Sequence, residues 1–352
     1  MQSLRNFDLI PNHTLKSLIL SWRNQRHLLN SSPSSSSSFH GHTELTSLLS
    51  AVESSPFKVS TLKKLRSFAR ENSAAFVASG GIDALRRVIL RSAADSDYFS
   101  AFQDCEEALG VLDGIPFEND DASVGLLAAP DSLRPMLLVL QRGGAEARLH
   151  AISILQRISR ADPSVTDHFH QDIDVFKSLL DLLSDEISAS PRLSSSSLDL
   201  LLEAVAVSKP NLLRAVEAGA VRVLIELLPD AGRHREGRVL MLLKRLCECA
   251  EGRSAFADHG MGVAAVASKI GRDGEVGTKV GVKLLWLVCS FLPTKKVVED
   301  MMAFGAVKKL LGMVHGEGQS STREKALRMV KMHGEAWKRL PCFPCELRAV
   351  LY

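Results

Sequence analysis

From Asn211 to Gly252 the sequence NLLRAVEAGAVRVLIELLPDAGRHREGRVLMLLKRLCECAEG reads as one helical unit that cannot fold alone. A short helix from Leu212 to Glu217 is expected to stop at Gly219, where the chain needs a residue tolerant of the left-handed conformation. A second helix carries Val221, Leu224, Ile225 and Leu228 at helical spacing, and Pro229, Gly232 and a charged loop end it. A third, Val239 to Cys249, puts Leu242, Leu243 and Leu246 on one face and Arg238, Lys244, Arg245 and Glu248 around the rest. Each helix has an apolar stripe and too little chain of its own to cover it. The unit therefore demands neighbours of the same kind.

Such neighbours are present. The turn before the second helix recurs in SGGIDALRRVIL, APDSLRPMLLVL, HQDIDVFKSLLDLL, DHGMGVAAVASKI and AFGAVKKLLGMV. Its pivots, Gly80, Asp131, Asp174, Gly219, Gly260 and Gly305, stand 51, 43, 45, 41 and 45 residues apart. The third helices give a second register: Phe68, Leu112, Ile158, Val205, Leu246, Val288 and Val330 are separated by 44, 46, 47, 41, 42 and 42. Three helices in roughly 40 to 47 residues is the period of armadillo and HEAT arrays, longer than tetratricopeptide or ankyrin repeats. The fold expected is all-α, a right-handed α-solenoid of about six to seven armadillo-type three-helix repeats.

The expected order is a helix in residues 1–26, a linker over 27–42, the array over 43–339 and a tail over 340–352. Pro11 and Asn12 read as a helix start, after which Leu15, Leu18, Ile19 and Trp22 fall on one stripe. Residues 30–42, NSSPSSSSSFHGH, are too polar to bury a core and read as linker. Glu44 to Glu53 reads as the second helix of a capping half-repeat, and Ser60 to Glu71 as the third helix that follows it. The long first step marks an insertion at Ser92–Asp97 or at the acidic loop Glu118–Asp121. The serine run Ser188–Ser197 reads as a loop between a second and a third helix, and Thr322 to Trp337 as the last third helix.

No phosphate-binding glycine loop, HExxH, GxSxG or kinase signature is present. Cys342-Phe-Pro-Cys345 has the spacing of half a zinc site but no second ligand pair, and His40, His42, His168 and His170 alternate in expected loops without further ligands. No metal and no cofactor are therefore expected. Net charge of +3 points to neither nucleic acid nor an anionic membrane surface. Cys247 and Cys289 fall in apolar rows, and no apolar run approaches the length of a membrane span. The location expected is cytoplasmic, with the nucleus open as well, and no membrane insertion is expected.

What remains is recognition: a groove lined by third helices that takes an extended or helical segment of another protein. Nuclear import receptors of this architecture clamp a peptide backbone with a ladder of asparagines on successive third helices. Here the equivalent positions are Ser67, Arg157, Ala204, Arg245 and Leu287, so the ladder is absent. Ser67, Arg157 and Arg245 are the groove candidates. The two arginines are expected to offer charge to an acidic or phosphorylated segment.

The stretch Asp8-Leu-Ile-Pro-Asn-His-Thr-Leu-Lys-Ser-Leu-Ile-Leu-Ser-Trp22, the serine-rich linker and then repeats such as EAGAVRVLIELL together resemble the plant U-box/armadillo ubiquitin ligases. The resemblance makes Pro11, Asn12, Leu15, Leu18, Ile19 and Trp22 the remnant of the closing U-box helix. It implies that the U-box of the complete protein, a zinc-free relative of the RING domain, docks a ubiquitin-conjugating enzyme without any covalent catalytic residue, while the repeats choose protein substrates. The family's opening Cys-Pro-Ile motif, docking loop and central helix are not found before Met1. This chain by itself is therefore expected to transfer no ubiquitin. Either its start is misassigned and the complete protein is an ordinary ligase, or the short form is a non-catalytic adaptor that competes with its relatives for substrate.

Overall fold

The computed structural model describes residues 37–55, 58–91, 98–117, 120–184, 190–271, 275–315, 320–341 and 343. The chain falls into two compact units, Met1–Thr46 and Ser47–Tyr352, and the architecture that follows is that of the second. The U-box-like residues Pro11 to Trp22 lie outside the described residues, as do Cys342 and Cys345.

The chain is an all-α solenoid, with no strand among the described residues. Two helices open it, α1 (Ser37–Ser54) and α2 (Lys58–Glu71). Three-helix repeats follow: α3 (Ser73–Ala78), α4 (Gly81–Arg91) and α5 (Tyr98–Asp113); then α6 (Asp121–Ala128), α7 (Pro130–Arg142) and α8 (Ala145–Ala161). In the third repeat a 3-10 segment, Pro163–Gln171, stands for the first helix and is followed by α9 (Ile173–Ser184) and α10 (Pro191–Val207). The last three are α11 (Lys209–Glu217), α12 (Ala220–Leu227) and α13 (Arg233–Leu246); α14 (Ala250–Asp258), α15 (Gly262–Lys269) and α16 (Glu275–Phe291); and α17 (Lys295–Ala303), α18 (Ala306–His315) and α19 (Ser321–Lys338).

The packing is that of a stack. Third helices touch in the order α2, α5, α8, α10, α13, α16, α19, and second helices in the order α4, α7, α9, α12, α15, α18. The apolar stripes of both rows meet between them, so each repeat completes its core with its neighbours. Leu112, Ile158, Val205, Leu246 and Val288 are fully covered and Val330 nearly so. Phe68 is only partly covered, because α2 has no earlier third helix to pack against.

Local chemistry sets the turns. Gly80, Gly219 and Gly305 have φ of 74°, 91° and 74° and stand immediately before second helices, where a side chain would be strained. Gly260 is not in that region. In the third repeat Asp172, not Asp174, makes the turn, its carboxylate accepting from the Asp174 N–H at 2.9 Å. Ser190, Thr294 and Ser320 cap α10, α17 and α19 by accepting the N–H of Leu193, Val297 and Arg323.

Two expected loops are helical, and for one shared reason. The serine run lies inside α10 from Pro191 onward, and the charged stretch before Val239 forms the first turns of α13. Arg235 of α13 donates to Ser194 Oγ and to the Leu183 carbonyl, both at 2.9 Å. Arg238 donates to Ser195 Oγ at 3.0 Å and to Asp199 Oδ1 at 2.7 Å. Serine disfavours helix because its hydroxyl competes for local backbone groups. Here these hydroxyls accept from the next repeat instead. Two smaller corrections go with these: α1 begins at Ser37, inside the expected linker, and so includes His40 and His42, while His168 and His170 lie in the 3-10 segment.

No single helix among the described residues is long and apolar enough to cross a membrane. The α6–α7 pair passes by length and composition together, but it bends by 67°. Both helices pack on α4 and α8.

Candidate functional site

The third-helix face holds a cavity of about 720 Å³ where α2, α5, α8 and the start of α10 come together. Its floor is Gly110, in the last turn of α5, and its walls carry Arg66, Arg70, Asp113, His150, Arg157 and Arg192. A glycine inside a helix costs about 1 kcal/mol relative to alanine. Its use here is spatial. A Cβ on Gly110 would stand 3.3 Å from Arg66 Nη1 and 3.5 Å from His150 Cδ2, so the bare backbone lets both side chains lie across α5.

A polar chain crosses three repeats at this point. His150 is 8% exposed. Its Nδ1 stands 2.8 Å from Asp113 Oδ2 and its Nε2 3.1 Å from Arg66 Nη2. Arg66 also pairs with Glu146 at 3.3 Å, and Glu146 stands 3.4 Å from His150 Nε2. Burial pushes the Asp113 carboxyl up, but hydrogen bonds from His150 and Ser153 and the charges of His150 and Arg157 outweigh it and hold it below its ordinary 3.8. Hydrogen bonds from His150 and Arg66 hold the Glu146 carboxyl below its ordinary value too.

The expected groove arginines also serve backbone carbonyls of the preceding repeat. Arg157 donates from Nη1 to the Asp113 carbonyl at 3.1 Å and from Nη2 to that of Ile115, and its guanidinium lies 4.0 Å from the centre of the Phe117 ring. Arg245 donates from Nε to the Val205 carbonyl at 3.2 Å and from Nη2 to that of Ala206 at 2.9 Å, and pairs with Glu248. Each arginine thus satisfies the open carbonyls at the end of the preceding third helix. They brace adjacent repeats. Ser67 is exposed on α2 but does not line the cavity, and Ala204 is buried.

The residues that sequence reasoning missed are Arg66, Arg70, Gly110, Asp113, Glu146, His150 and Arg192. One signal was available. Arg66 and Gly110 each stand two places before their register residue, Phe68 and Leu112, so the repeat period itself sets the glycine beside the arginine. Asp113 and His150 are 37 residues apart and carry no such mark. Cys247 and Cys289 are buried free thiols, and burial pushes Cys289 up to about 12. Among the described residues no group of three or more His, Cys, Asp or Glu side chains could hold a metal ion.

Similarity to known proteins fits this arrangement. The chain is 30% identical to the E3 ubiquitin-protein ligase PUB23 of Arabidopsis thaliana, an alignment that covers 97% of this chain and 84% of the relative. It is 27% identical to PUB22 of the same plant, over 98% and 86% of the two chains. A crystal structure of computationally designed armadillo repeat proteins for modular peptide recognition superimposes with a TM-score of 0.54 at 15% identity, covering 70% of this chain and 98% of that one. Residues 43–348 match the family described as the plant U-box protein ARM repeat region, and with that match the chain belongs to the plant U-box proteins with armadillo repeats.

Proposed function

We propose that this chain is the substrate-recognition scaffold of a U-box ubiquitin-protein ligase, holding protein substrates while the complete protein passes them ubiquitin from a conjugating enzyme. The observation that carries the reading is the unbroken row of third helices with a polar cavity opening on it, in a chain whose relatives are ubiquitin ligases over nearly its whole length. Armadillo proteins designed for modular peptide recognition share this fold. Free thiols at Cys105, Cys247, Cys249 and Cys289 suit the reducing cytoplasm or nucleus in which that reaction would run.

The test joins the U-box of PUB23 ahead of this chain and measures ubiquitin transfer, with a conjugating enzyme, to a protein recovered by its binding to the array. Deleting the array should abolish labelling of that protein while self-labelling of the U-box persists. Equal substrate labelling with and without the array would refute the reading. The chain alone, added to full-length PUB23 acting on a shared substrate, should lower substrate labelling by competition for it.

A further inference from the structure

We propose that the cavity between α2, α5, α8 and α10 receives a phosphorylated serine or threonine in an extended segment of the partner protein. The proposal rests on the substrate-recognition reading and names the chemical class of substrate. It starts from charge. Four arginines line the cavity, Arg66, Arg70, Arg157 and Arg192, against two carboxylates, Asp113 and Glu146. The site holds a surplus of two positive charges, close to the charge of a phosphoserine near neutrality, about −1.5 to −2. A carboxylate ligand would match only half of it.

The donors are placed for such a ligand. Arg70 on α2 and Arg192 on α10 stand on opposite walls, both exposed, and neither takes part in an ion pair or side-chain hydrogen bond among the described residues. Arg66 spends Nη2 on Glu146 and His150, while its Nη1 lies over Gly110 without a protein acceptor. The chain from Arg66 through His150 to Asp113 fixes that guanidinium against α5 before any ligand arrives. A preset planar fork suits a phosphate, which can accept from several guanidinium groups at once. Arg157 adds charge but not donors, since it serves the Asp113 and Ile115 carbonyls.

Glu146 completes the device. Its side chain is 74% exposed and leans on Arg66 from the solvent side. In the free protein it neutralises Arg66. A phosphate competes with it for the same guanidinium, and an exposed glutamate can swing away without leaving a buried charge unpaired.

Binding of three peptide pools to the full chain, followed by fluorescence anisotropy, tests this. One pool has a central phosphoserine in degenerate flanks, one has serine there and one has glutamate. The phosphoserine pool should bind at least about tenfold more tightly than either of the others, the range expected when charge-assisted hydrogen bonds are gained. The double variant Arg70→Glu/Arg192→Glu, which touches no bond of the fold, should erase that preference. Glu146→Gln should tighten phosphoserine binding by removing the competitor. Equal binding of the pools, a glutamate pool as tight as the phosphoserine pool, or a preference that survives the double reversal would overturn the proposal. Arginine-dependent binding of phosphatidylserine vesicles without any peptide preference would overturn it in favour of a membrane surface. In each of these cases array-dependent substrate labelling in the joined ligase still stands or falls by itself, so failure of the phosphate claim is distinguishable from failure of the recognition reading.

Discussion

Replacing Arg157 by alanine separates two roles that the sequence cannot tell apart. If the side chain only offered charge to a ligand, its loss would leave stability unchanged. Its contacts include the carbonyls of Asp113, at the end of α5, and Ile115, just past it, the Phe117 ring 4.0 Å away, and Asp113 Oδ1 at 3.9 Å. The side chain is 14% exposed, so solvent screens these contacts only in part. Hydrogen bonds to a charged group contribute about 1.5–3 kcal/mol each, and a cation over a ring about 0.5–2 kcal/mol. Water can reach the freed carbonyls, which lowers the sum, and a loss of about 3 kcal/mol follows. Repeat arrays open in parts, so amide hydrogen exchange over residues 98–117 reads the effect more directly than a single melting curve. Exchange there should quicken by about a hundredfold, and the urea midpoint should fall. Arg70→Ala, exposed and without a partner, should stay within about 0.5 kcal/mol of the parent. An Arg157→Ala protein as stable as the Arg70→Ala protein, with α5 exchange unchanged, would refute the brace.

Two further outcomes follow from the packing and the charges. Gly252 in α14 lies against the end of α13, where an added Cβ would stand 1.9 Å from the Leu246 carbonyl oxygen, a backbone atom that no rotamer change can move. Gly252→Ala should therefore destabilise by about 2 kcal/mol or more despite a helix-propensity gain of about 1 kcal/mol, as read by urea unfolding. Asp113 has a folded-state pKa below its ordinary 3.8. Its contribution is thus fully present above that value and is lost as the pH falls through the lower one. Acid titration followed by circular dichroism should show a shallower loss of stability below about pH 4 in Asp113→Asn than in the parent, set against lower stability near neutrality.

The solenoid was legible because its signal is repeated. A stripe that recurs every 41 to 47 residues along the third helices marks them even where one copy is weak, and three of the glycine pivots have the positive φ that the turn requires. The helix starts were less legible. Ser194 and Ser195 look like loop, and Arg235 and Arg238 look like a solvated turn, until each supplies the other's hydrogen bond across a repeat boundary. The site was hardest to read. The repeat register places Arg157 and Arg245 on third helices but does not show the carbonyls they serve, because those belong to the preceding repeat. A sequence shows which side chains are charged but not which backbone ends lie open beside them.

Photo-crosslinking tests the central claim most directly. A crosslinking residue is placed in turn at Ser67, Arg70 and Arg192 on third helices, and at Arg134, Lys177 and Arg222 on second helices, all six being exposed. The joined ligase is then irradiated with the substrate it ubiquitinates. Adducts from the third-helix positions, with little from the second-helix positions, are the result predicted. Adducts confined to Arg134, Lys177 and Arg222 would place the substrate on the other row of helices and contradict the account.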